Sequence, residues 1–175
     1  SIEENSIGSN NKSPYVVPPG IPRDIDNTTI VQRRTNEQSL QICVDNLSDG
    51  DGRAIYKESN FDLINYGRIK MFIHAEPNNG DILNDNEINA FLRFGSDYEN
   101  NYYEIELPLK ITRPSLIDQN TSNLSRIVWP EENEINLSIE ELLSLKSQRN
   151  REGIEINSPF SKVSSNGKYI IRIKG

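Results

Sequence analysis

The chain has 175 residues, which is enough for a domain with a substantial core. Asp and Glu number 26 against 19 Lys and Arg, so the formal net charge is -7. Nucleic-acid binding depends on clustered cations that neutralise phosphates, and no window here is rich in Lys or Arg, so the composition disfavours a nucleic-acid partner. The low hydrophobic fraction, 34%, predicts long loops and solvated strand faces.

The N-terminal residues are rich in Ser, Asn and Glu and show no apolar period, which predicts a flexible arm over residues 1–16. These residues do not contain a cationic stretch followed by an apolar block. We therefore expect neither an intact signal peptide nor a membrane helix. The segment "YVVPPGIPRDID" follows, and its three prolines favour an extended connector.

The middle of the chain is rich in strand patterns. "TTIVQRR", "SLQICVDNL", "RAIYK", "FDLIN" and "INAFLRFGS" carry β-branched, aromatic or alternating residues, and turn residues separate them. In "GRIKMFIHAE" the apolar residues alternate with Arg68, Lys70, Phe72 and His74, as expected for a strand with two different faces.

The stretch "NAFLRFGSDYENNYYEIELPL" predicts an antiparallel hairpin, because a loop of hairpin size separates two apolar runs. Successive side chains of a strand point to opposite faces. One face of the second run is therefore expected to be packed and the other solvated, with Arg93 of the first run across from a glutamate. The packed residues would be Tyr103, Ile105 and Leu107, and the solvated ones Tyr102, Glu104 and Glu106.

The segment "SIEELLSLKSQRNR" predicts a single short helix near residues 139–150. Ser138 and Glu141 have the spacing of a capping box, and Ile139, Leu142 and Leu143 share one side at helical spacing. "SRIVWPEENEINL" before it predicts one or two short strands, and "GKYIIRIKG" predicts a strand at the end of the chain.

With about nine short strand candidates and one helix, the pattern predicts an all-β fold. We expect an antiparallel β-sandwich of the jelly-roll kind, similar to galactose-binding domains. Residues 17–175 would form this single domain after the arm.

Few residues carry the patterns that chemistry requires. Glu104 and Glu106 share a strand face, so acid–base or glycosidase chemistry is conceivable, although solvated strand glutamates are far commoner. His74 is the only histidine and Cys43 the only cysteine, so neither a zinc site nor a serine nucleophile with its base is indicated. We expect no cofactor. Asp and Asn clusters at 45–51 and 78–87 could supply oxygen ligands for calcium, but we favour ordinary turns as their interpretation.

Several aromatic residues could form a platform for sugar, but they are spread over both strand faces. We therefore expect them to divide between core and surface. They are Phe91, Phe94, Tyr102, Tyr103 and Trp129.

Several longer runs resemble one segment of the SprA/Sov family, the very large outer-membrane proteins of Bacteroidetes. They are "PPGIPRDID", "RRTNEQSLQICVDNL", "DLINYGRIKMFIHAE", "AFLRFGSDYENNYYEIELPLKIT", "VWPEENEINL" and "LLSLKSQRNREG", in this order between about Val17 and Gly175. The resemblance implies a part of a translocation pore that serves type IX secretion and gliding motility. Because family members continue into further strand sequence, it also leaves open that a final strand of the domain is missing here.

The resemblance therefore predicts a non-enzymatic soluble module of an outer-membrane translocon that acts by protein–protein contacts or as a structural cap. Its expected partners are other translocon subunits, secreted cargo proteins and the rest of its own barrel chain. The expected location is a periplasmic or extracellular portion at the outer membrane. The candidate surface residues are Tyr102, Glu104 and Glu106.

Two other functions stay open at this point. A carbohydrate-binding jelly roll would show an exposed aromatic residue on a concave face, beside Asp, Asn or Arg. A glycoside hydrolase would place two carboxylates across a deep cleft.

Overall fold

The structure, a computed structural model, describes residues 2–6, 16–21, 25–26, 33–34, 38–59, 62–78, 81–113 and 122–175. Within the chain, residues 1–61 and 62–175 form two compact units. The strands are β1 (Ile2–Ser6), β2 (Ile25–Asp26), β3 (Arg33–Arg34), β4 (Gln38–Ile42), β5 (Arg68–Met71), β6 (Asn89–Gly95), β7 (Tyr102–Pro108), β8 (Ile135–Ser138), β9 (Phe160–Val163) and β10 (Ile170–Lys174). The helices are α1 (Leu124–Val128) and α2 (Ile139–Arg151).

The first unit contains two small antiparallel pairs, β1 with β4 and β2 with β3. β1 lies within the segment that the sequence assigned to a flexible arm, and Ile2 is paired with Ile42 in the ladder. The division into an arm at 1–16 and one domain at 17–175 stays a prediction. Most of the predicted strand "TTIVQRR" lies outside the described residues.

The second unit is a β-sandwich, which confirms the predicted fold class. Its larger sheet is antiparallel with the strand order β6-β7-β10-β9, and its smaller sheet pairs β5 with β8. The jelly-roll arrangement stays a prediction. The shared core contains apolar residues from both sheets, from α2 and from the segments beside them: Ala75, Ile105, Leu107, Leu109, Ile111, Ile135, Leu137, Ile139, Leu142, Leu145, Tyr169, Ile171 and Ile173.

The alternation of side chains along β7 shows which face of the larger sheet meets the core. Ile105 and Leu107 are fully buried in the core, and Tyr103 is half-buried against it. In β10, Ile171 and Ile173 are paired with Ile105 and Tyr103 and face the same interior. The period of two that aligns these residues therefore places Tyr102, Glu104 and Glu106 on the opposite face of the sheet.

Helix α2 confirms the predicted helix, but two details of the prediction are wrong. The Ser138 side chain makes no capping hydrogen bond, and the Glu141 carboxylate instead accepts hydrogen bonds from the backbone N–H and hydroxyl of Ser165. Leu143 is 40% exposed, whereas Leu145 is buried with Ile139 and Leu142. One face of α2 packs against strands of both sheets. The position of those strands decides which leucine of the helix is covered.

Two predicted strands are replaced by other structure, and one of the one or two strands predicted around Pro130 forms. "SRIV" forms α1 rather than a strand, while the following "INLS" forms β8. Residues 53–57 form no strand, and Leu63–Asn65 form a 3-10 turn. Asn133, which the sequence did not single out, is fully buried, and its amide group donates to the Lys110 carbonyl and accepts from the Lys110 N–H. The Asn133 side chain thus satisfies the backbone N–H and C=O of Lys110, as pairing with a neighbouring strand would.

The turn between β6 and β7 is closed by the Asp97 carboxylate. It accepts a hydrogen bond from the Asn101 side chain at 2.6 Å, and others from the backbone N–H groups of Asn100, Glu99 and Asn101. These donors hold the pKa of Asp97 well below its usual range, with the Asn101 side chain as the largest cause.

The Asp97 contribution to stability is therefore expected to depend on pH. Because its folded pKa is depressed, the stabilisation is present above the unfolded pKa of about 3.9 and declines as the pH falls toward the folded pKa. Urea midpoints of the wild type and Asp97→Asn should differ most near neutral pH, and the difference should shrink progressively as the pH falls below about 4. A difference that stays constant from neutral to acid pH would contradict this assignment.

Across the described ranges, no helix is long and apolar enough to span a lipid bilayer.

Candidate functional site

The face of the larger sheet that points away from the core brings the candidate residues together. Cross-strand pairing places Arg93 beside Glu104, and Glu104 beside Arg172. The neighbouring row across the sheet consists of Phe91, Glu106, Ile170 and Val163. We call this set, together with Tyr102, the outer face.

Glu104 lies at the centre of the outer face between two arginines. Arg93 donates from Nε to Glu104 Oε2 at 2.7 Å, and its Nη2 lies 2.5 Å from the same oxygen. Arg172 donates from Nη1 to the other carboxylate oxygen, Oε1. Both oxygens of one carboxylate are thus occupied by guanidinium groups from the two flanking strands, which is a strong charge-assisted arrangement.

Two further contacts extend the ion pairs. Arg172 Nη2 lies 3.4 Å from Glu106 Oε2, and Asn89 Nδ2 donates to Glu106 Oε1 at 2.7 Å. Arg93 also donates from Nη1 to the carbonyl of Tyr98 in the hairpin turn. The network therefore ties three strands and the turn together, and it holds both glutamates in fixed positions.

The expectation of a solvated face is wrong for two of its three residues. Glu104 is only 2% exposed and Tyr102 is buried as well, while Glu106 is half-buried. The guanidinium carbon of Arg93 lies 4.1 Å from the centre of the Tyr102 ring, a cation–π contact. The long arginine side chains lie over their neighbours, so residues that point away from the core still lose contact with water. Whether these three residues bind a partner stays a prediction.

Apolar residues remain exposed beside the ion pairs. Phe91, Ile170 and Val163 are 38%, 42% and 55% exposed, and they lie on three strands in one row across the sheet, with the half-buried Glu106 of β7 between Phe91 and Ile170. An apolar row next to partly exposed arginines has the composition of a protein–protein contact, where aromatic residues and arginine are enriched.

The geometry around the two glutamates favours structure over acid–base chemistry. They lie on the same face of one strand, and Arg172 contacts both. A glycosidase instead needs its carboxylates on opposite sides of a bound sugar, with one of them free to carry a proton.

The predicted aromatic platform is not assembled on one surface. Trp129 is buried and meets His74 and Phe72 edge-on, while Phe94 and Tyr103 stack on each other with their ring centres 5.8 Å apart. Phe91 alone of the predicted set is exposed. The expected division of these aromatics between core and surface is confirmed.

The other candidate residues are not among those that make up the outer face. The His74 ring donates from Nδ1–H to the Val128 carbonyl, and Cys43 is half-buried in the first unit. Among the described residues, no group of three or more His, Cys, Asp and Glu side chains is arranged to hold a metal ion. Expectations about calcium and cofactors stay predictions.

The fold and the outer face define a β-sandwich module that exposes apolar residues beside arginines on one sheet face. A model of the motility related/secretion protein family, SprA_N, matches residues 1–175. The chain therefore belongs to this family, as the resemblance in its sequence predicted, and it is a protein related to motility and secretion. A search among curated proteins found no match.

Proposed function

We propose that the chain is a non-enzymatic, protein-binding module of a large outer-membrane translocon that serves type IX secretion and gliding motility. Its partners would be other translocon subunits, secreted cargo proteins or the rest of its own chain, met on the periplasmic or extracellular side. Family membership supports the link to secretion and motility. The observation that carries the binding role is the exposed apolar row Phe91, Ile170 and Val163 beside the arginines.

The ion-pair network supports this role by keeping the binding surface rigid. Glu104 is buried between Arg93 and Arg172, so three strands present their side chains in fixed positions. A surface that is ordered before binding loses less conformational entropy on association. The apolar row would supply the buried area of the contact, and the arginine side chains would supply directional hydrogen bonds at its border.

The binding role predicts a loss of secretion when the apolar row is made polar. Phe91→Ser, Ile170→Ser and Val163→Ser, introduced together in the full-length protein in its own cell, should reduce secretion and gliding by about tenfold or more. The matched control replaces three exposed apolar residues outside the row, Ile82, Leu143 and Ile156, with serine. Immunoblotting of the parent protein separates a binding defect from loss of protein.

Normal secretion by the row variant, at the same protein level as the control, would contradict the binding role. The non-enzymatic role is tested separately with a panel of chromogenic glycosides. We expect no turnover by the wild-type chain, and turnover that disappears in Glu104→Gln would overturn that part of the proposal.

A further inference from the structure

The two edge strands of the larger sheet differ in how well their sequences protect them from pairing with another strand. β6 and β9 are the outermost strands, so each has one edge of backbone N–H and C=O groups directed away from the sheet. Within the described part of the chain, no other strand pairs with the outer edge of β6. An unpaired edge is a template for another strand unless the sequence protects it.

The β9 edge carries the usual protection and the β6 edge does not. β9 has four residues, follows Pro159 and contains the exposed Lys162. β6 has seven residues and contains neither Pro nor Lys. Its one cation, Arg93, is paired with Glu104 of β7, which partly neutralises the charge that would otherwise protect the open edge.

From this difference we propose that the open edge of β6 binds an extended acidic–apolar segment of a partner protein as a fifth strand of the sheet. The inference rests on the proposed protein-binding function and specifies its partner and geometry. Main-chain hydrogen bonds would provide the ladder, and the side chains on either face of β6 would select the sequence.

The faces of β6 define which side chains the added strand should carry. Ala90, Leu92 and Phe94 are half-buried and pack against the core, so residues beside them on the added strand should be apolar. On the other face the neighbours are Phe91 and Arg93, which alternate with them along β6. A partner with an apolar or aromatic residue beside Phe91 and a carboxylate beside Arg93 satisfies both faces.

The charge around Arg93 favours a carboxylate. Arg93 shares Glu104 with Arg172, and both arginine side chains remain about a third exposed, 31% and 32%, while the Glu104 side chain is 3% exposed. Glu106, the other carboxylate of the network, is 23% exposed and pairs with Arg172, so the charge that reaches solvent at Arg93 is positive, although the whole chain has a net charge of -7. Complementary charge attracts and orients an acidic segment.

A second copy of the chain fits this edge less well. β6 has the sequence NAFLRFG and contains no carboxylate. Pairing two β6 strands would place two Arg93 side chains on neighbouring strands with no additional carboxylate between them, and like charges on neighbouring strands are unfavourable.

The test measures binding of a synthetic strand to the full 175-residue chain. The probe is a fluorescein-labelled peptide, Thr-Val-Glu-Val-Phe-Val-Thr, followed by fluorescence anisotropy. We expect saturable binding, and a loss of about tenfold or more in affinity when alternate amides along one edge are N-methylated, because methylation removes donors and keeps every side chain. Replacing the peptide's Glu with Lys should also weaken binding about tenfold.

Two variants of the chain assign the binding to one edge. Phe91→Lys adds to β6 the protection that β9 has, and should weaken binding about tenfold. Ser161→Lys is the matched control, because Ser161 is an exposed residue of the opposite edge strand β9 and lies outside the apolar row, and it should bind as the wild type does. Circular dichroism verifies that both variants fold, and the N-methylated peptide needs no variant.

Four results would overturn the inference. They are no binding of the peptide, equal binding of the N-methylated peptide, an equal loss in Ser161→Lys, and self-association that Phe91→Lys abolishes, because that last result would show that a second copy occupies the edge. The secretion assay of the apolar-row variant remains a separate result. Loss of secretion without peptide binding would reject the added strand and retain the protein-binding function.

Discussion

Replacing Glu104 with glutamine is expected to lower the free energy of unfolding by about 2–4 kcal/mol. Glu104 is 2% exposed, and its two oxygens accept from Arg93 and Arg172. Glutamine keeps the size of the side chain but removes its charge and one acceptor. Two guanidinium groups would then lie side by side without the carboxylate between them. Their partial exposure to water places the expected cost below that of a fully buried pair.

Urea denaturation of the 175-residue chain measures this effect, with Glu106→Gln as the control. Glu106 is more exposed and has one weaker arginine contact at 3.4 Å, so its replacement should cost under about 1 kcal/mol. Replacing Arg93, Glu104 and Arg172 together with apolar residues of similar size should recover much of the loss. Equal costs for the two glutamine variants would contradict the central position of Glu104.

The second large effect is expected in the core. Leu107→Ala should lower the free energy of unfolding by about 3–4 kcal/mol, because Leu107 is fully buried and the smaller side chain leaves a cavity. The loss combines the transfer free energy of the removed atoms with contacts that the surrounding residues cannot restore.

The matched control is Leu143→Ala, the same substitution at a residue of α2 that is 40% exposed. It should change stability by under about 1 kcal/mol, since no closed cavity forms and alanine favours helix. Thermal and urea unfolding of the two variants compare the sites directly. A large loss of stability in Leu143→Ala with a small loss in Leu107→Ala would contradict the burial of Leu107 and the exposure of Leu143.

Together these effects describe a sheet that is rigid at its centre and open at one edge. The core and the Glu104 network hold β6, β7 and β10 in place, and the outer edge of β6 has no strand partner among the described residues. A rigid sheet with an open edge is suited to adding a strand from another protein, because its backbone groups are already in position.

Local patterns were sufficient for the elements whose contacts lie close in the sequence. The alternation in β6 and β7 predicted the hairpin, and the turn between them placed Arg93 across from Glu104. The spacing of apolar residues predicted α2. In each case the signal is a period or a turn within a few neighbouring residues, which the chain carries wherever it folds.

By itself the sequence determined the family, the β-rich class, the hairpin and helix α2. Only the tertiary structure decided that Glu104 is buried, because the second arginine that covers it, Arg172, lies 68 residues away in the chain. The same holds for Leu145 being covered while Leu143 is exposed, and for Asn133 pairing with Lys110, 23 residues distant. Burial depends on which elements distant in the sequence pack together, and a local sequence pattern does not contain that information.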